Sequence, residues 1–124
     1  TPPIGISVPQ AMYDDFVEIC KPVKNINPDF PFEVKVAKPR KRPTSTGGTD
    51  ASVFAVEGVP TYGFTTDDIK GYNFSYGEIW HTERDLYTKN IPEYQEHTAV
   101  VTAIVALGVA NLDKQLSREG MYKE

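Results

Sequence analysis

The chain has 124 residues, of which 40% are hydrophobic and 24% charged, enough for one domain with a packed core and too short for two. Its net charge of −4 argues against nucleic acid or an anionic membrane as a partner. Cys20 is the one cysteine, which excludes an internal disulfide and reads as a small buried apolar residue.

No secretory leader pattern is visible, and the longest nearly uncharged run, Thr98–Asn111, is too short to cross a bilayer. The chain opens Thr-Pro-Pro rather than Met, so it is expected to be a fragment, an expression product or a processed product of a longer protein.

Thr1–Ile6 is rich in proline and glycine and shows no clear periodicity. Ser7-Val8-Pro9-Gln10 reads as a helix start, with Ser7 as N-cap and Gln10 closing a capping box. Val8, Met12, Phe16 and Ile19 then fall on one helical face, and Pro22 stops the helix near Cys20 or Lys21. After the breakers of 24–31, Phe32–Ala37 alternates apolar and polar, predicting a half-buried strand near a sheet edge. Lys38–Pro43 is basic; without interleaved aromatic residues it reads as a solvated loop rather than a phosphate site.

Thr44–Thr49 leads into Asp50, which stands where its carboxylate can cap a short helix. Val53, Phe54 and Val56 are expected to be buried, with Gly58 as the stop. Pro60–Thr66 predicts a buried strand with Tyr62 and Phe64 on one side, and Asp67–Gly77 an aromatic loop. The strongest helix follows Asn90, with Asn90 as N-cap, Pro92 in the first turn and Glu93 completing a capping box. Its stripe is Tyr94, Val101, Val105, Leu112 and Leu116; Val100, Ile104, Leu107 and Val109 widen it, so its middle is expected to be buried on most sides and its end to lie at Gly120. His97, on this helix beside Glu96, reads as structural.

The chemistry centres on His81. Histidine binds zinc through one ring nitrogen while a partner holds the other. Asp85, four residues on, is placed to orient that loop, to cap the next turn or simply to be solvated.

Three motifs in register carry a resemblance: Gly47-Gly48-Thr49-Asp50 with Phe54, then Gly58-Val59-Pro60, then His81-Thr82 with Asp85. Over residues 44–117 the chain resembles the ending of metallopeptidase family 28, the zinc exopeptidases that include leucyl-type aminopeptidases, plasma glutamate carboxypeptidase and glutaminyl cyclases. The resemblance implies an α/β fold, a partial mixed β-sheet flanked by helices, forming the C-terminal portion of a three-layer zinc-exopeptidase domain over 1–124. It implies that His81 is a zinc ligand and that Asp50 supports the site by hydrogen bonding behind the metal or on the substrate side. Trp80 would line the substrate pocket, with Asp85 beside it. Ala51 departs from the family, which often has histidine there.

The family's other donors, a His-x-Asp, a Glu-Glu pair and a further aspartate, have no counterpart in usable order. A single histidine supplies neither a stable zinc site nor a base. The chain alone is therefore expected to be inactive, and a two-zinc site hydrolysing peptides to need the N-terminal part of the catalytic domain as a partner. Uncovered sheet edge and core also predict a homo-oligomer or a paired fragment. Two other readings stay open: a non-catalytic scaffold of the same fold, and a glutaminyl-cyclase-like acyltransferase, the latter resting on Trp80.

Overall fold

A computed structural model describes residues 1–123. The first element is a strand, β1 (Pro3–Val8), and it forms the centre of a three-stranded mixed sheet. Parallel to it runs β2 (Glu33–Val36), in register Ile6 with Val34 and Val8 with Val36. Antiparallel to it on the other side runs β4 (Gly63–Thr66), which pairs Phe64 with Ile6. A second, two-stranded parallel ribbon joins β3 (Arg40–Lys41) to β5 (Tyr122–Lys123). The helices are α1 (Tyr13–Cys20), α2 (Ala51–Val56), α3 (Tyr76–Ile79) and α4 (Pro92–Ala110). The chain is thus a small mixed sheet flanked by helices.

The core lies between the Ile6 and Val8 face of the sheet and two of these helices. Met12, Phe16 and Cys20 from the α1 region meet Val101 and Val105 of α4 there, with Val23 and Phe32 closing the ends. Of the first-helix stripe expected from the sequence, Phe16 lies in α1 and Met12 in the 3-10 turn before it, whereas Val8 belongs to β1 and Ile19 is only partly buried. Tyr94, Val101 and Val105 do fall on the buried stripe of α4. Alternation puts Gly5, Ser7, Glu33, Lys35, Gly63 and Thr65 on the opposite face of the sheet.

Several expectations fail. Ser7 is not a helix cap. It lies inside β1, and α1 begins only at Tyr13, after a 3-10 turn over Gln10–Met12. Ile4, Ile6 and Val8 do alternate, but Gly5 reads as a breaker. The fold needs glycine at that position because a Cβ there would sit 2.7 Å from the Glu33 carbonyl oxygen.

The strand at Pro60–Thr66 shortens to β4 and is exposed rather than buried, because β1 pairs with it on one side and, among the described residues, no strand pairs on the other. In α2 it is Ala55 that is buried, while Val53 and Phe54 face solvent, Phe54 at 58% exposure. Helix α4 starts from Ile91 with no side-chain cap, and Asn90 instead donates through Nδ2 to Gln95 Oε1 at 2.7 Å. It stops at Ala110, well before Gly120, because Leu112 and Leu116 leave the helical path to pack on the core and Met121 is buried ahead of β5. Its buried residues are Tyr94, His97, Val101 and Val105, a single stripe, whereas Leu107 is 64% exposed. The middle of the helix is therefore not buried on most sides. At the C-terminal end of α2, Gly58 has φ 75° as expected for a helix stop.

Candidate functional site

The histidine segment hangs from the sheet by a loop that is tied to α4. The loop follows β4 and turns at Asp68, whose carboxylate gathers three donors. Its Oδ1 accepts from the Tyr94 hydroxyl at 2.7 Å and from the Tyr72 amide at 3.1 Å. Its Oδ2 accepts from the Phe74 amide at 3.1 Å. The Tyr94 oxygen in turn accepts from the Lys70 amide at 2.9 Å. At the rim, Glu93 accepts from the Tyr72 hydroxyl at 2.8 Å and from Lys70 Nζ at 3.1 Å.

The electrostatics follow these bonds. The Tyr94 phenol, aided by the backbone amides, holds the Asp68 carboxyl below the usual range against the effect of burial. Burial first, and the Asp68 carboxylate second, push the Tyr94 phenol up to about 12. Tyr72 and Lys70 lower Glu93, and Glu93 raises Lys70. Asp68 was not anticipated as an organising residue. The local signal was an aspartate followed by Gly71 and Asn73, the composition of a side-chain-stitched turn.

Beyond this anchor, α3 presents an aromatic ledge. Tyr76 and Trp80, one turn apart, stack with ring centres 5.2 Å apart and planes at 20°. Trp80 and His81 stack more closely, at 3.9 Å and 19°. His81 has φ 52°, a left-handed conformation that costs a non-glycine residue energy. The turn that holds it is stitched by Thr82, whose hydroxyl donates to the Ile79 carbonyl at 2.7 Å and accepts the Arg84 amide at 3.2 Å. Arg84 pairs with Glu78 at 3.1 Å across the same turn. Trp80 and His81 are both exposed, and among the described residues no hydrogen bond engages the His81 ring.

The other residues singled out in the sequence lie elsewhere. Asp85 lines a cleft of about 300 Å³ with Phe74, Ile79, Leu86 and Asn90, and His81 is not in its wall. Asp50 is exposed at the start of α2, and its carboxylate caps nothing. Ser52 does that stitching instead: its Oγ accepts the Gly47 amide at 2.9 Å and donates to the Thr49 carbonyl at 2.7 Å. Among the described residues no hydrogen bond or ion pair links Asp50 or Asp85 to His81. The fold therefore stacks Trp80 on His81, while Asp50 and Asp85 make no direct bond to either among the described residues.

Zinc sites take three or four protein donors. Among the described residues no group of three or more His, Cys, Asp or Glu side chains could hold a metal ion. Among the described residues, His81 therefore lacks the set of donors that would complete a zinc site. His97 offers nothing to this ledge. It is 2% exposed, with both ring nitrogens unpartnered and its ring edge-on to Phe30 at 4.4 Å.

No protein-family model matches the chain, and no curated protein or solved structure is detectably similar to it.

Proposed function

We propose that residues 1–124 form one wall of a zinc exopeptidase site of the aminopeptidase type, with His81 supplying a ligand and polypeptide outside these residues supplying the rest. One observation carries this reading: an exposed imidazole, free of hydrogen bonds, held outward at φ 52° and stacked on Trp80. Strained backbone at a polar, accessible residue is a feature that functional sites use and that packing alone does not require. On this reading Trp80 forms the apolar side of the substrate pocket for a peptide's terminal residue. Asp50 and Asp85 act as hydrogen-bonding supports once the covering polypeptide brings their segments into the site. Bound zinc would lower the pKa of a water molecule. The chain alone is expected to hydrolyse nothing.

The test uses the protein expressed from its complete reading frame. Zinc content and release of nitroaniline from leucine p-nitroanilide are measured for wild type and His81→Ala. The variant is expected to lose zinc affinity by about 10- to 100-fold or more, with hydrolysis falling alongside it. Full zinc and full activity in the variant overturn the proposal.

Two readings compete. A non-catalytic binding domain is favoured by the exposed Phe54, Trp80 and Tyr87, and a zinc-free, inactive wild type would select it. A glutaminyl-cyclase-like acyltransferase is favoured by Trp80, and cyclisation of an N-terminal glutaminyl peptide would select it.

A further inference from the structure

The chain exposes 8592 Å², whereas a compact monomer of its 13.8 kDa exposes about 6,600 Å². The excess of about 2,000 Å² exceeds the roughly 800 Å² that each partner buries in a standard interface. A surface of this extent fits a molecule that is covered in solution.

One sheet edge is open to a specific kind of cover. Among the described residues, no hydrogen bond outside the β1 ladder engages the backbone of Gly63–Thr66, so the outer side of β4 presents unpaired amides and carbonyls. The strand is Gly-Phe-Thr-Thr, without charge or proline. The opposite edge, β2, carries Glu33 and Lys35, the charged residues that discourage pairing. The β3–β5 ribbon is basic. At the uncharged edge Phe64 is 36% exposed, and its ring lies 6.5 Å from that of Phe32, continuing the apolar layer out to the rim.

We propose that β4 pairs antiparallel with β4 of a second copy of this chain, making one continuous sheet through a two-fold axis. A two-fold perpendicular to the sheet keeps like faces together, so each residue must oppose one of equal face. Centring the axis on Phe64 places Phe64 against its own copy, an aromatic cross-strand pair. The same register sets Asp67 of one copy against Thr61 of the other. Thr61 is where Arg40 is held: its guanidinium donates to both the Thr61 hydroxyl and the Thr61 carbonyl. Asp67 and Arg40 are both exposed, and neither has an ion-pair partner among the described residues. The β1 pairing extends to Asp67, whose amide donates to the Pro2 carbonyl at 3.3 Å, so Asp67 continues the line of the strand. Self-pairing therefore joins an acidic end to a basic end twice, an arrangement that favours a second copy over an arbitrary strand.

Sedimentation velocity on the chain tests this. Wild type is expected to be a dimer at about 50 µM. Asp67→Arg and Arg40→Asp are each expected to weaken dimerisation about tenfold or more, and the double variant to restore it. Circular dichroism checks that each variant is folded, and hydrogen exchange is expected to slow at the amides of 63–66 as concentration rises. If Arg40→Asp fails to fold, Asp67→Arg together with the exchange experiment decides. A monomeric wild type overturns the proposal. So does a dimer indifferent to charge reversal or unprotected at 63–66, which would place the contact elsewhere, such as the exposed side of α4 around Ala103 and Leu107.

Discussion

The hydroxyl of Tyr94 donates to Asp68 Oδ1 at 2.7 Å, joining the first turn of α4 to a loop 26 residues earlier. The same hydroxyl accepts from the Lys70 amide, so one buried phenol closes the loop from both directions. This bond fixes the base from which the Trp80–His81 ledge extends.

Tyr94→Phe keeps the ring and removes the bond, leaving the Lys70 amide without its acceptor. The expected loss is about 1–2 kcal/mol of unfolding free energy, read by urea denaturation, with faster hydrogen exchange over 68–74. The folded pKa values of Asp68 and Glu93 are lowered. Their contribution is therefore present above the unfolded pKa, near 4, and is lost as pH falls through the folded values. Removing the phenol is expected to flatten this acid limb.

His97 makes the opposite kind of demand. Burial lowers its pKa, so the unfolded chain binds a proton more readily than the folded one. Stability is present above the unfolded value of about 6.5 and falls as pH drops below it. His97→Leu is expected to abolish this slope below about pH 6.5. It is also expected to leave stability at neutral pH within about 1 kcal/mol of wild type, since both ring nitrogens are unpartnered. Thermal midpoints across pH check both points. An unchanged slope would mean that another group governs it.

The contact of α4 with α1 depends on Gly108. A Cβ at this position would meet Ile19, reaching its Cγ1 at 2.9 Å and its Cβ at 3.1 Å. Gly108→Ala improves helix propensity, but the clash reaches the branch point of Ile19 and dominates. The expected net cost is about 1–3 kcal/mol. Adding Ile19→Ala is expected to recover at least about 0.5 kcal/mol of the summed single losses, measured as a double-mutant cycle. Purely additive effects would place the strain elsewhere.

Cys20 lies in the core, where burial pushes its thiol up to about 11. The thiolate is the reactive form. Labelling by Ellman's reagent at pH 8 is therefore expected to be slow in the native protein and complete in denaturant. Fast native labelling would show that the α1–β2 side opens readily.

Much of the fold was legible because it depends on local period. Met12 and Phe16, and Tyr94, Val101 and Val105, repeat at helical spacing, and all are buried, Met12 in the turn before α1, Phe16 in α1 and the other three in α4. Phe32–Ala37 alternates, and β2 runs there at an edge. Pairing was not legible. Ile4, Ile6 and Val8 form a central strand only because β2 and β4 arrive from far along the chain on either side, and in isolation Gly5 and the prolines looked like punctuation. For the same reason Phe54 read as core: apolarity marks what could be buried, and only the packed chain decides which surface is present to bury it.

The candidate site divides the same way. The sequence by itself singled out His81 as a candidate metal ligand, since side-chain type and an adjacent aromatic are local facts. Only the tertiary structure decided that His81 and Trp80 stack without a direct bond to Asp50 or Asp85, and that Asp68 and Tyr94 anchor the segment. A hydrogen bond across 26 residues and a backbone held at φ 52° arise from where the loop is pinned, and no periodicity in the chain encodes that.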